Sequence, residues 1–197
     1  EKMPFIEFDE EGVSNYTKSF QLMSTKPIKE LEIILDKYRK NNIDQPDCVV
    51  GFSGGRDSSY LLDLLVTKYN MNPIAVTYEW GMVSDLARRN QARICGALGV
   101  EHIIVSADIP ENRKDINKYV TAWLKKPHLG MVPLFMAGDK KYFNVLNETS
   151  KKYETDLIIF GNAPYEFTDF KTGFAGIKPT LQDSHGLGTI LEMPSVS

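Results

Sequence analysis

The strongest structural signal in this chain is an eleven-residue stretch, Val49-Val50-Gly51-Phe52-Ser53-Gly54-Gly55-Arg56-Asp57-Ser58-Ser59. Its apolar start is typical of a buried strand and its Ser-Gly-Gly centre of a tight turn, and the amphipathic segment 60–69 that follows predicts a helix. A loop between a strand and a helix N-terminus presents backbone N–H groups and the positive end of the helix dipole. The stretch therefore predicts an anion-binding loop.

This loop differs from both common phosphate-binding loops. A Walker loop needs a lysine that reaches the terminal phosphates, and no lysine lies between Pro46 and Val66. The Gly-x-Gly-x-x-Gly dinucleotide fingerprint is absent as well. Because the Asp57 carboxylate would repel a bare phosphate, we interpret it as a Mg²⁺ ligand or a helix cap. The candidate nucleotide-binding residues are those of the pattern Ser-Gly-Gly-x-Asp-Ser: Ser53, Gly54, Gly55, Arg56, Asp57 and Ser58.

Length and composition limit the class of protein. A chain of 197 residues is long enough for one α/β domain with a real core and short for two. Its net charge of −3 argues against a nucleic-acid partner bound through a broad basic surface. The two cysteines, Cys48 and Cys95, form no disulfide framework, and no apolar run is as long as a membrane span. We therefore expect a cytoplasmic protein with no membrane association.

In the rest of the chain, short apolar runs alternate with segments of helical periodicity. Residues 1–24 are polar and predicted to be irregular. Helices are predicted at 27–39, 60–69, 84–98, 113–124 and 142–153, and strands at 48–52, 73–78, 101–105 and 156–160. Ser84 is predicted to cap the helix 84–98 and Gly99 to end it. Such alternation predicts a doubly wound parallel sheet covered by helices on both faces, a three-layer α/β/α arrangement.

Ligands of such folds bind beyond the carboxyl ends of the strands. The loop 53–58 follows the first strand, Tyr78 ends the second, and Gly161 and Asn162 follow the fourth. Tyr78 could stack on an adenine, and packing in the core is an equal alternative. We divide the chain into an N-terminal extension with a helix at 1–46, a nucleotide-binding domain at 47–174 and a C-terminal tail at 175–197.

The Ser53–Ser58 loop resembles that of the PP-loop ATP pyrophosphatases, and the resemblance covers about residues 47–166. It implies the Rossmann-like, adenine nucleotide alpha hydrolase-like fold. It also implies that ATP is split into AMP and pyrophosphate, with Mg²⁺ and with the loop around the pyrophosphate.

A narrower resemblance is to the N-acetyl sugar amidotransferases of surface-polysaccharide (lipopolysaccharide, O-antigen) biosynthesis. The residues that carry it are 4–13 near the N-terminus, 129–134 and 138–140 in the centre, and 160–162, Glu166 and 170–174 late in the chain. It implies that the acetamido group of a nucleotide-linked sugar is converted to an acetamidino group with ammonia. It implies charge-stabilising or catalytic roles for Lys140, Lys171 and Glu166, and a second Mg²⁺ ligand in Asp139. Simple turn or cap roles for Asp139, Asn162 and Glu166 stay open.

The chain departs from that family in two ways. Ser14 and Thr17 stand where the family commonly has cysteines of a metal-binding cluster, so the resemblance does not extend to the ligands of that site. The family's members are also longer, so the chain is interpreted as a shortened form or an incomplete piece. Cys48 and Cys95 lack the neighbours of a glutaminase nucleophile. We therefore expect a separate glutaminase partner that supplies ammonia.

Two other functions were weighed against this one. A tRNA-modifying PP-loop enzyme such as a thiolase usually needs paired cysteines and a basic surface, and the lack of paired cysteines and the acidic net charge argue against it. A nucleotide-binding module without chemistry is disfavoured because binding alone requires no dedicated pyrophosphate loop.

Overall fold

The computed structural model describes residues 3–21, 27–40, 42, 44–127 and 139–162. Its centre is a four-stranded parallel sheet in the order β3-β2-β1-β4. The strands are β1 (Cys48–Gly51), β2 (Pro73–Glu79), β3 (Glu101–Ser106) and β4 (Ile158–Phe160). β1 is buried along its whole length because it pairs with β2 on one side and β4 on the other.

The helices of the described residues lie between and before these strands. They are α1 (Asn15–Gln21), α2 (Ile28–Tyr38), α3 (Arg56–Asp63), α4 (Asp85–Leu98), α5 (Ile109–Lys125) and α6 (Asp139–Lys152), and α3 continues into a π-helical turn at Leu64–Lys68. None of these described helices is long and apolar enough to cross a membrane.

The two faces of the sheet carry separate hydrophobic cores. On one face Val50 and Phe52 pack with Leu35 of α2, Leu62 of α3 and Cys95 of α4. On the other face Val49, Ile74 and Val76 pack against Leu146 of α6. Alternate residues of β1 therefore face opposite helix layers, as the pleat of a strand requires. The predicted doubly wound α/β fold is confirmed.

The structure corrects the prediction for residues 1–24, which are not wholly irregular. Ser14 caps α1, because its Oγ accepts a hydrogen bond from Thr17 N at 3.1 Å. The hydroxyl oxygens of Ser14 and Thr17 also lie 2.9 Å apart. Before it, the Asp9 carboxylate accepts hydrogen bonds from Glu11 N and Val13 N and pairs with Lys18 at 2.6 Å. These contacts, and most of all the hydrogen bond from Lys18, hold the pKa of Asp9 below its ordinary value.

Three helices begin earlier than predicted: α3 starts at Arg56 rather than at 60, and the other two are α5 and the last helix. Asp108 caps α5 by accepting a hydrogen bond from Glu111 N at 2.9 Å, with a proline in the first turn, so the helix starts at Ile109 rather than at 113. The last helix starts at Asp139 rather than at 142. The predicted cap Ser84 and stop Gly99 of α4 are confirmed. The predicted tail 175–197 lies outside the described residues.

Candidate active site

The loop Ser53–Ser58 leaves the carboxyl end of the central strand β1 and runs directly into α3. A hydrogen bond of 2.9 Å from Phe52 N to Val76 O continues the β1–β2 pairing up to the first loop residue. Ser53, Gly55 and Arg56 are exposed, whereas Ser58 is buried beneath them. The loop therefore offers an accessible surface above a fixed base.

Hydrogen bonds between two serines close the loop on itself. Ser58 Oγ lies 3.3 Å from Gly55 O, and it accepts from Ser53 N at 3.3 Å. Since a serine hydroxyl has a single proton, Ser53 Oγ is then the donor in the 3.1 Å contact between the two hydroxyls. Ser53 Oγ also accepts from Gly55 N at 3.2 Å. Each serine thus orients the other.

The loop leaves several backbone N–H groups available. Within the described part of the chain, nothing accepts a hydrogen bond from the N–H groups of Gly54, Arg56, Asp57 or Ser58. The last three belong to the first turn of α3, where no intrahelical acceptor exists. Ser84 and Asp108 cap α4 and α5 with their side chains, but Gly55 at the start of α3 supplies no such cap. Free N–H groups at a helix N-terminus form an anion site.

Two glycines are required by the geometry around the loop. Gly54 has φ +73°, and a Cβ on it would meet Gln91 Cγ at 2.7 Å and Ala87 O at 3.1 Å. Gly161, directly after β4, packs so closely on the loop that a Cβ would meet Asp57 O at 2.8 Å. The structure therefore brings Gly161 against the predicted loop, with the exposed Asn162 next to it.

Asp57 and Arg56 lie at the open side of the loop. The Asp57 side chain is 48% exposed, and its carboxylate is 3.8 Å from Arg56 Nε, whose side chain is 94% exposed. No group of three or more His, Cys, Asp or Glu side chains that could hold a metal occurs among residues 3–21, 27–40, 42, 44–127 and 139–162. Mg²⁺ bound with a nucleotide needs only one or two carboxylates, because phosphates and water complete its shell. Asp57 at a half-open loop fits that role.

The other predicted site residues fall in three groups. Tyr78 is half-buried in β2, on the face of Ile74 and Val76, and no hydrogen bond or ring contact between described residues joins it to the loop. The backbones of Asp139 and Lys140 start α6, and their side chains are not among the described groups. Glu166 and Lys171 lie outside the described residues.

Gln91 of α4 is a site residue that the sequence reasoning missed. Its side chain is 2% exposed, and its Nε2 donates to Ser53 O at 2.9 Å. The signal was present in the helical pattern. Residues 91, 94, 95 and 98 share the core-facing side of α4, and Gln91 is the polar member of that apolar stripe.

An ion pair borders the site at the end of β2. Arg88 of α4 donates to Glu79 at 2.9 Å and to Asp85 at 2.9 Å, and Glu79 also accepts from Gly81 N. Burial alone would raise the pKa of Glu79, but the hydrogen bonds from Arg88 and Gly81 outweigh it and lower the pKa. Arg88 is thus held by two carboxylates.

A second polar cluster joins α5 to α6. Lys141 donates to Glu111 at 2.9 Å and to the buried Asn112 at 3.0 Å, and it lies 3.3 Å from Asp115. The hydrogen bond to Glu111 raises the pKa of Lys141. The ammonium group of Lys141 is therefore paired with the carboxylates of Glu111 and Asp115.

The cysteines do not have the environment of a nucleophile. Both are free and buried. Burial raises the pKa of Cys48 to about 12 and that of Cys95 to about 11. Neither thiol is therefore ionised near neutral pH, as thiol nucleophiles must be.

The sequence was compared with protein families and with curated proteins. No family model matches the chain. An uncharacterised protein of Methanocaldococcus jannaschii is 29% identical over 103 residues, which is 52% of this chain and 35% of that protein.

Two solved structures are similar in fold at low sequence identity. The NMN synthetase of Francisella tularensis is 17% identical with a TM-score of 0.51, over 78% of this chain and 59% of that one. The glutamine-dependent NAD+ synthetase of Acinetobacter baumannii, solved with ADP, is 15% identical with a TM-score of 0.53, over 82% and 30%. The chain spans less than two thirds of the length of each of these three proteins. Its fold is the adenine nucleotide alpha hydrolase-like fold of the PP-loop proteins.

Proposed function

We propose that this chain binds ATP at the Ser53–Ser58 loop and splits it into AMP and pyrophosphate to activate an acceptor. The observation that carries the proposal is that the N–H groups of Gly54, Arg56, Asp57 and Ser58 have no acceptor among the described residues, at a helix start without a side-chain cap. Donors without internal partners at the positive end of a helix stabilise phosphate oxygens. The likeness in fold to an NAD+ synthetase solved with ADP supports a nucleotide ligand.

In this proposal the chain's own groups bind and orient the pyrophosphate end of ATP. The loop N–H groups donate to phosphate oxygens, and the hydrogen bonds of the two serines keep these donors in place. Preorganised donors of this kind stabilise the charge that develops on the departing pyrophosphate. Asp57 would hold Mg²⁺, which would neutralise part of the phosphate charge.

We further propose that the acceptor is the acetamido group of a nucleotide-linked N-acetyl sugar. Its oxygen would attack the α-phosphorus of ATP, forming a P–O bond while the bond to pyrophosphate breaks. Ammonia would then attack the imidate carbon and displace AMP, leaving an acetamidino group after loss of a proton. This step rests on the resemblance to the N-acetyl sugar amidotransferases carried by residues 4–13, 129–134, 138–140, 160–162, Glu166 and 170–174.

The remaining predicted residues receive roles in the same proposal. Lys140 and Lys171 would stabilise phosphate or substrate charge, Glu166 would move protons, and Asp139 would join Asp57 at Mg²⁺. Tyr78, Gly161 and Asn162 would line the nucleotide. Ammonia would come from a partner glutaminase, because neither buried thiol of this chain is ionised near neutral pH. Free thiols also favour a reducing compartment such as the cytosol.

The test is to incubate the protein with ATP, Mg²⁺, an ammonium salt and a panel of nucleotide-linked N-acetyl sugars, and to separate the products. We expect AMP and pyrophosphate in equal amounts, released with ammonium but not with glutamine. Formation of ADP would contradict the AMP-forming reaction. Turnover with glutamine alone would contradict the separate glutaminase, and AMP release that required tRNA would replace the sugar by an RNA acceptor.

A further inference from the structure

Gln91 is a buried amide among apolar residues of α4. It lies on the core-facing stripe of α4, with 2% of its surface exposed. Burying an amide disfavours folding unless the group is hydrogen-bonded. Its Nε2 meets that need at Ser53 O, 2.9 Å away, which is the carbonyl of the first loop residue.

That hydrogen bond orients a whole peptide plane. The chain has no cis peptide bond among its described residues, so the carbonyl of Ser53 and the N–H of Gly54 point in opposite directions. Because Gln91 draws the carbonyl towards α4, the Gly54 N–H is turned away from α4. No described residue accepts from this N–H. Gln91 Cγ also fills the space beside Gly54 where a Cβ would stand.

We propose that Gln91 is a positioning residue, which aims the Gly54 N–H at the pyrophosphate of bound ATP. This rests on the ATP-binding role proposed above and adds to it the group that holds the loop in its binding form. Glycine rotates at little steric cost, so without the Gln91 bond the 53–54 peptide can turn its carbonyl oxygen outward. An outward carbonyl oxygen would repel a phosphate oxygen.

The test replaces Gln91 by Met, which keeps the length of the side chain and removes the donor. The matched control is Thr149→Val, which removes another buried hydrogen bond, from Thr149 Oγ1 to Val145 O at 2.9 Å on α6. Binding of inorganic pyrophosphate and of adenosine is measured separately by calorimetry. We expect Gln91→Met to weaken pyrophosphate binding about tenfold, the loss of one hydrogen bond to a charged group. Adenosine binding stays unchanged, and Thr149→Val changes neither.

Three outcomes would contradict the positioning role or its premise. Equal pyrophosphate affinity in wild type and Gln91→Met overturns the role of Gln91. Equal losses for pyrophosphate and adenosine overturn it too, because they indicate a general loss of structure. If the wild-type protein binds neither pyrophosphate nor ATP, the proposed function itself fails.

A measurement on the unaltered protein covers the case in which Gln91→Met does not fold. The amide resonances of the loop are followed by NMR as pyrophosphate is added. We expect the Gly54 amide proton to move downfield with saturation, as a new hydrogen bond to an anion requires. Shifts at Arg56, Asp57 and Ser58 with none at Gly54 overturn the proposal.

Discussion

Among single residues, Asp57 has the least expected place in an anion-binding loop. Its N–H has no acceptor in the part of the chain that the structure describes, while its carboxylate stands half-exposed at the same helix start. A carboxylate in the first turn stabilises a helix through the dipole, but it also repels the phosphates that this helix start would bind. The two readings of Asp57, as a helix-stabilising group and as a Mg²⁺ ligand, predict opposite effects of removing its charge.

We predict that Asp57→Asn reverses its effect on pyrophosphate binding when Mg²⁺ is added. Without Mg²⁺ the variant binds pyrophosphate more tightly than wild type, since a repulsion is gone. With Mg²⁺ it binds less tightly, and AMP release falls about a hundredfold or more, because a metal ion supplies several kcal/mol of charge stabilisation. The control is Asp63→Asn, the exposed carboxylate at the other end of α3. A variant with unchanged Mg²⁺-dependent turnover would leave Asp57 only its stabilising role in the helix.

His102 is coupled to the loop through Thr77. Thr77 Oγ1 donates to Phe52 O at 2.5 Å and lies 2.8 Å from His102 Nε2. Because the single hydroxyl proton of Thr77 is used at the carbonyl, His102 Nε2 is the donor to Thr77. The His102 ring also packs edge-on against the Phe52 ring, with the two ring centroids 5.6 Å apart. Thr77 of β2 and His102 of β3 thus both fix the position of Phe52, the residue before the loop.

We predict that folding stability decreases as the pH falls below about 6.5, the ordinary pKa of histidine. Burial lowers the pKa of His102 in the folded protein, so the unfolded chain binds the extra proton first and acid favours unfolding. The decrease continues down to the folded pKa. Urea unfolding between pH 7.5 and 5.5 measures it, and His102→Gln, which keeps a donor for Thr77, removes this part of the dependence. Identical pH curves for both proteins would contradict the prediction.

Among the elements, α6 is the one fitted most closely to the central strand. Tyr142 and Leu146 of α6 pack on the β1 and β2 residues of one face. A Cβ on Gly51 would overlap the Tyr142 hydroxyl and meet Phe160 Cδ1 at 3.1 Å. Burial in this contact raises the pKa of Tyr142 to about 12. The distance between α6 and the sheet therefore depends on the absence of a side chain at Gly51.

We predict that Gly51→Ala destabilises the protein by about 1–3 kcal/mol, as overpacking of a core does. The double variant Gly51→Ala/Tyr142→Phe should recover part of this loss, because the hydroxyl is the first atom in the way. Gly96→Ala on α4 is the matched control, since a Cβ there meets nothing within 4 Å. Chemical denaturation of the four proteins measures the effect. A double variant no more stable than Gly51→Ala would show that the hydroxyl is not the obstacle.

Across the whole molecule, the sheet order brings the loop together with a distant part of the chain. β4 pairs with β1, so Gly161 reaches the loop from about a hundred residues further along the sequence. α4 contributes Gln91 from the other side. The loop is therefore enclosed by elements that assemble only when the sheet is complete, and a ligand bound there binds only the folded state.

We predict that pyrophosphate stabilises the protein against heat. A ligand at a hundred times its Kd adds about 2.7 kcal/mol when it binds only the folded state, which for a domain of this size raises the Tm by about 5–10 °C. Potassium chloride at matched ionic strength is the control for screening. An equal rise of the Tm with the chloride salt would contradict specific binding at the loop.

The amino-acid sequence by itself determined the local features. Alternating apolar runs and helical periods predict the strands and helices of the sheet, because each depends on neighbouring residues. The Ser84 cap, the Gly99 stop and the Ser53–Ser58 loop were recognised for the same reason. The start of α5 and the presence of α1 were predicted poorly, because the capping contacts of Asp108 and Ser14 override the helical period at the ends of a helix.

Only the tertiary structure decided what surrounds the loop. The order β3-β2-β1-β4 sets Gly161 on Asp57, and the packing of α4 sets Gln91 on Ser53. Neither contact can be recognised from a fixed spacing of residues along the sequence, because each joins residues that become neighbours only after helices and strands pack. The sequence could therefore indicate that an anion-binding loop exists, while the orientation of its N–H groups follows from long-range hydrogen bonds and close packing.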